Sequence, residues 1–177
     1  MDLTGKKAAV LVHNYFEQAE FEQPLKTLKD AGAEVHVVSA SGEKELQGLH
    51  HVDKGETFQA DFMLDDVAAG DYDALVLPGG AINADALRMV DAARQWARDF
   101  MESGKPLAVI CHAPWLLASS GVAKGKKLTS FFTIQDDMKN AGADWVDEAV
   151  VIDGNLITSR KPEDLPAFCS ALVQALQ

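Results

Sequence analysis

Cys111 and His112 stand together at the end of the apolar run Pro106-Leu107-Ala108-Val109-Ile110, and Ala113-Pro114-Trp115-Leu116 opens a helical pattern directly after them. A buried strand that stops at a nucleophilic residue type before a helix start has the layout of a nucleophile elbow. Such a turn lifts a side chain out of the sheet edge, and a helix dipole behind it lowers a thiol pKa. The spacing therefore predicts a thiolate at Cys111 able to add to an electrophilic carbon. A lone cysteine can instead be a small buried apolar residue, a reading that its place at a strand end disfavours. His112 forms a dyad with its neighbour only on a special turn, because adjacent side chains on extended backbone point apart.

Two other apolar runs end in residues that suit the same chemistry. Ala8-Ala9-Val10-Leu11-Val12 leads to Asn14 through Glu22, with Glu17 and Glu20 among them, and Ala74-Leu75-Val76-Leu77 leads to Pro78-Gly79-Gly80. In open α/β sheets ligands bind outside the carboxyl ends of the strands. A nucleophile, a carboxylic acid and close-approaching backbone amides thus gather at one edge. Taken alone, the glutamates are first-turn acids of a helix and the glycines a turn. His13, His36, His50 and His51 lack metal-ligand spacing, so they are read as structural or surface residues. No metal and no cofactor are predicted.

The elements that must position these groups alternate along the chain. Strand-like runs at 8–12, 34–38, 74–77 and 107–110 are separated by helical patterns, one from about Glu20 to Ala31 and a long one from about Asp85 to Met101. Continuous apolar runs belong to parallel sheets covered on both faces. The fold class expected is α/β, a three-layer sandwich with a mostly parallel central sheet and helices on both faces, flavodoxin-like, formed by residues 1–177 as one domain. Residues 41–65 read as a hairpin excursion, and Ala149–Ile152 with Leu156–Thr158 as a tight-turned hairpin.

Bulk composition narrows the partners. The 177 residues carry 16 Lys and Arg against 27 Asp and Glu, a formal charge of −11, which argues against nucleic acid as the main partner. The two cysteines cannot make a disulfide framework, and Cys169 falls on the apolar stripe Leu165, Phe168, Leu172, Val173, Leu176 of a C-terminal helix. No signal segment and no apolar stretch of roughly 20 residues is present, so a cytoplasmic location without membrane contact is expected.

The order of motifs also resembles the ThiJ/PfpI family, the intracellular protease I-like branch of the class I glutamine-amidotransferase-like domains. The likeness covers nearly the whole chain. It rests on Phe16-Glu17-Gln18-Ala19-Glu20, Leu77-Pro78-Gly79-Gly80, Ile110-Cys111-His112-Ala113-Pro114, Asp136-Asp137-Met138-Lys139-Asn140-Ala141-Gly142, Trp145-Val146-Asp147, Val151-Ile152-Asp153-Gly154-Asn155 and Thr158-Ser159-Arg160. The resemblance implies Cys111 as nucleophile, His112 beside it, Glu20 as the acid bonded to the sulfur, and Gly80 with the His112 amide as the oxyanion site. It implies a third acid reaching His112 from a neighbouring subunit, for which Asp85 is the nearest candidate, and hence a homodimer or larger assembly. Gly79, Glu17 and Trp115, with Phe131 and Phe132, are expected around the substrate.

Two activities follow from that likeness, and a non-catalytic role follows from the thiol itself. The leading expectation is a stress-protective enzyme of glyoxalase III or deglycase type, acting on small-molecule aldehydes or modified protein side chains. The alternatives are an intracellular cysteine peptidase and a redox-sensing stress protein oxidised at Cys111.

Overall fold

Four apolar runs form the middle of one sheet, and the helical patterns between them cover its faces. The computed structural model describes residues 2–177. In chain order its strands and α-helices are β1 (Lys7–Val12), β2 (Phe16–Glu17), α1 (Gln18–Asp30), β3 (Glu34–Ser39), β4 (Glu45–His50), β5 (Asp53–Gln59), β6 (Phe62–Met63), β7 (Ala74–Leu77), α2 (Ala81–Leu87), α3 (Asp91–Ser103), β8 (Leu107–Ile110), α4 (Pro114–Ser120), β9 (Lys127–Leu128), α5 (Gln135–Asn140), β10 (Asp144–Trp145), β11 (Val150–Asp153), β12 (Leu156–Ser159) and α6 (Leu165–Leu176).

The central sheet has seven strands in the order β11-β12-β8-β7-β1-β3-β6. Every neighbouring pair is parallel except the β11–β12 hairpin. Alternate residues of β1 feed opposite cores. Ala8, Val10 and Val12 pack with Phe21 and Leu28 of α1 and Phe168 and Leu172 of α6. Ala9 and Leu11 pack with Trp96 and Phe100 of α3 and Leu116 and Leu117 of α4. Burial on both faces explains why these strands are uninterrupted apolar runs, and the helix–sheet–helix sandwich is the architecture expected. Among the described residues, no helix is long and apolar enough to cross a membrane.

The structure departs from the sequence pattern in the middle of the chain. The helical pattern over Asp85–Met101 is two helices, α2 and α3. Val90 has extended backbone, φ −84° and ψ 113°, through which an α-helix cannot run. Arg94 braces the break by donating from Nε to the Arg88 carbonyl at 2.6 Å. The 41–65 excursion is the β4–β5 hairpin, and β4 pairs with β2 in a separate three-stranded sheet beside the start of α1. That pairing brings the hairpin tip to the sheet edge where the chemistry lies.

Candidate active site

Strand β8 is fully buried and ends at Cys111, whose φ of +64° lies in the left-handed region. This backbone costs on the order of 1 kcal/mol or more for a residue with a Cβ. Neighbours hold it there: the Cys111 N–H donates to the Ser159 carbonyl at 3.1 Å, and its carbonyl accepts from the Phe131 N–H at 2.8 Å. The turn swings His112 back onto its neighbour, with Nδ1 3.2 Å from Cys111 Sγ. Phe131 stacks on the imidazole at 4.8 Å, Trp115 meets it edge-on at 5.4 Å, and Thr133 Oγ1 lies 3.4 Å from Nε2. Burial holds the imidazole below its usual pKa, so the ring is neutral at pH 7 and has a nitrogen free to accept a proton.

Glu20, in the first turn of α1, is 0 % exposed. Its Oε2 accepts the Gly79 N–H at 2.9 Å. Its Oε1 has no hydrogen-bond partner among the described residues, and the neighbouring Cys111 thiol acts to lower the carboxyl pKa. Burial, then the charge of Glu17, raises the Glu20 pKa to about 8, and Glu163 adds to the rise. The carboxyl is therefore protonated at neutral pH and can donate to a sulfur anion.

The thiol itself does not follow the helix-dipole expectation. Burial pushes the Cys111 pKa up, a charged Glu20 pushes it further, and the N–H groups of Gly80 and His112 pull the other way. Helix α4 begins only at Pro114, three residues beyond the sulfur, so its dipole does not decide the balance. Cys111 and Glu20 instead titrate as one coupled pair. His112 Nδ1, 3.2 Å from the sulfur, is the nearest group able to accept the thiol proton.

Both glycines are demanded by this packing. A Cβ on Gly79 would come within 2.6 Å of the Cys111 Cβ and would collide with Glu20 Oε2. Gly80 has φ +89°, and a Cβ there would lie 2.6 Å from the Glu17 backbone nitrogen. Gly79→Ala is expected to cost about 1–3 kcal/mol of overpacking. The check is a lowered midpoint in chemical unfolding together with slower alkylation of Cys111.

Cys111 lies at the floor of a cavity of about 590 Å³ that Glu17, Glu20, Gly80 and His112 also line. Residues 6–175 match the DJ-1/PfpI family. The chain belongs to that family. Protein/nucleic acid deglycase 2 of Escherichia coli is 44% identical over 93% of this chain and 94% of its own length. General stress protein 18 of Bacillus subtilis is 42% identical over 93% of this chain and 94% of its own. A crystal structure from Anabaena variabilis, with DJ-1/ThiJ/PfpI-like and ferritin-like domains, superposes with a TM-score of 0.90 at 39% identity. It covers 97% of this chain, which spans only 48% of that longer one.

The cavity of this DJ-1/PfpI chain gathers most, not all, of the residues singled out by sequence. Cys111, His112, Glu20, Gly80 and Glu17 line it, as does Phe131. Gly79 is buried behind it and touches Glu20 instead. Trp115 is not among the lining residues: it meets His112 edge-on, and its Nε1 donates to Asp137 Oδ2 at 2.9 Å. Phe132, 62% exposed, lies outside the lining. Asp85 is exposed on α2 and makes no hydrogen bond or ion pair among the described residues, so no third acid reaches His112 within one chain. Cys169 is buried in α6 and both cysteines are free.

Tyr15, His51, Lys161 and Glu163 also line the cavity, and the sequence pattern assigns none of them a role in the site. His51 was read as structural or surface, yet its backbone N–H donates to Glu17 Oε2 at 3.0 Å. Lys161 and Glu163 are delivered by a loop that Arg160 anchors, with a forked pair of bonds to Asp164 at 2.8 and 2.9 Å and one to Asp147 at 2.9 Å. The signal available was Arg160 four residues before Asp164 in the sequence.

Proposed function

We propose that this chain is a cysteine-dependent, stress-protective enzyme that converts reactive dicarbonyls such as methylglyoxal, or the early adducts they leave on protein side chains, to hydroxy acids. The observation that carries the reading is the thiol of Cys111 held between a neutral imidazole nitrogen at 3.2 Å and a buried, protonated carboxyl on the cavity floor. The names of the E. coli and B. subtilis relatives support it.

Each group has a role its environment suits. The Cys111 sulfur adds to the aldehyde carbon as its proton passes to His112 Nδ1, forming a C–S bond and a hemithioacetal oxyanion. The Gly80 and His112 N–H groups face that oxyanion. Proton transfer from the former aldehyde carbon to its neighbour converts the adduct to a thioester of lactate. Water then cleaves the C–S bond, releasing lactate and restoring the thiol. For an amine-borne adduct, the same addition of one water yields lactate and the free amine. Asp85 enters this scheme only as a residue of a second subunit placed against His112.

Incubation with methylglyoxal is expected to yield lactate in equal moles to the aldehyde consumed, without added cofactor, while a casein digest run in parallel stays intact. Peptide cleavage without lactate would replace this reading with the peptidase alternative. Neither product would remove both.

A further inference from the structure

Given Cys111 as the reacting thiol, we infer that Asn83 is a positioning residue: it clamps the Pro78–Gly79 and Gly79–Gly80 peptide planes, the first of which aims its N–H at Glu20. Asn83 sits in the first turn of α2 and is 0 % exposed. Its Nδ2 donates to the Pro78 carbonyl at 3.0 Å and to the Gly79 carbonyl at 2.9 Å, while its Oδ1 accepts the His13 N–H at 2.7 Å.

The consequence follows from peptide planarity. The Pro78 carbonyl and the Gly79 N–H belong to one plane, so a bond that holds the oxygen also aims the N–H, which reaches Glu20 Oε2 at 2.9 Å. The Gly79 carbonyl and the Gly80 N–H belong to the next plane. That carbonyl also takes the Glu17 N–H at 3.2 Å, and the Gly80 backbone N–H acts to lower the Cys111 pKa. Two glycines in a row lack side chains to set these directions, and Asn83 supplies the constraint.

Its third bond ties in the remaining strand. The β1–β7 ladder registers only to Val10 and Val76. Past that point the two chains diverge to carry Glu17 and Glu20 on one side and Gly79 and Gly80 on the other. Asn83 bridges the gap from His13 to Pro78 and Gly79. A side-chain amide alone offers two N–H donors and an acceptor at this length. Aspartate would turn an oxygen toward two carbonyls, and leucine would leave the Pro78 carbonyl unpaired and the Gly79 carbonyl with the Glu17 N–H alone.

Asn155 provides the matching control. Its Nδ2 also donates to two carbonyls, of Phe100 and Lys105 at 2.8 Å each, but it precedes β12, at the opposite end of the strands from Cys111. The test is the pH dependence of iodoacetamide alkylation read at the Cys111 peptide by mass, with lactate kinetics alongside, for Asn83→Leu and Asn155→Leu. Asn83→Leu is expected to move the alkylation midpoint upward and to lower kcat roughly tenfold or more with KM little changed. Asn155→Leu is expected to lower thermal stability while midpoint and kcat stay at the parent values. Should Asn83→Leu fail to fold, Asn83→Ser, which keeps one donor, decides by the same measurements. An unmoved midpoint in a folded Asn83 variant, or an equal shift in Asn155→Leu, would overturn the assignment. Absence of lactate from the parent protein would instead sink the aldehyde reading, and the alkylation arm would still judge Asn83.

Discussion

Replacing Cys111 with alanine is expected to bring lactate formation to the uncatalysed background, a loss of roughly 10⁴-fold or more. Neither Glu20 nor Glu17 on the cavity wall can take its place. Glu20 is protonated and wholly buried, and Glu17 is engaged by the His51 N–H. The second thiol, Cys169, is buried in α6 on the stripe that packs against α1. Cys111→Ser is expected to be as inactive as alanine. Burial resists ionisation of this group, and a hydroxyl starts from a far higher pKa than a thiol. Alanine tolerates the φ of +64° no worse than cysteine does and removes one member of a buried coupled pair. The unfolding midpoint of Cys111→Ala is therefore expected to equal or exceed that of the parent, which separates lost chemistry from lost structure. Lactate formation that persists in a folded Cys111→Ala protein would show that another group attacks the aldehyde.

How much of this was legible beforehand depended on what each feature rests on. The strands of the central sheet were plain because residues buried on both faces must be apolar in sequence as well as in space, as in β7 and β8, where every residue is buried. The chain order of strand ends then brought Glu20, Gly79–Gly80 and Cys111 to one edge. Single backbone angles were not legible. The turn that folds His112 onto Cys111 depends on bonds from Ser159 and Phe131, some 20 to 50 residues away in sequence. The break between α2 and α3 turns on the backbone of Val90, a residue type that does not advertise a helix start.

The cavity wall shows the same division. Tyr15, His51 and Cys111 are the non-glycine residues with positive φ among the described residues, and all three line the cavity. Strain of this kind persists only where surrounding structure over-determines it, and it clusters at functional sites. No composition or periodicity signals it at Tyr15 or at the hairpin tip. Asn83 was equally silent: a polar residue in a helical pattern reads as solvent-facing until the carbonyls it satisfies are in place. In the proposed scheme the legible residues carry the chemistry, while those missed hold it in register.

Glu20→Gln is expected to lower kcat/KM for lactate formation by roughly 10²–10³-fold and, separately, to flatten the dependence of stability on pH. The kinetic loss arises because the amide keeps an acceptor for the Gly79 N–H and a donor toward the sulfur, yet has no acidic proton to share. The stability effect has the opposite sense. In the folded protein the carboxyl pKa is about 8 against 4.5 when unfolded, with burial the chief cause and the Glu17 charge next. Between those values the native state binds the extra proton, so stability falls as pH rises from about 4.5 through about 8. With 1.36 kcal/mol per unit, the loss at alkaline pH is at most about 5 kcal/mol, and sharing the charge with Cys111 reduces it. Glutamine has no proton to lose. In urea unfolding at pH 5 and pH 9, the parent should lose midpoint at the higher pH, while Glu20→Gln should lose little. At pH 9 the variant is thus expected to be the more stable protein and the poorer enzyme. A parent midpoint that rises from pH 5 to pH 9 would mean that Glu20 enters the fold as a carboxylate, and the picture of a protonated acid steadying a sulfur anion would be wrong.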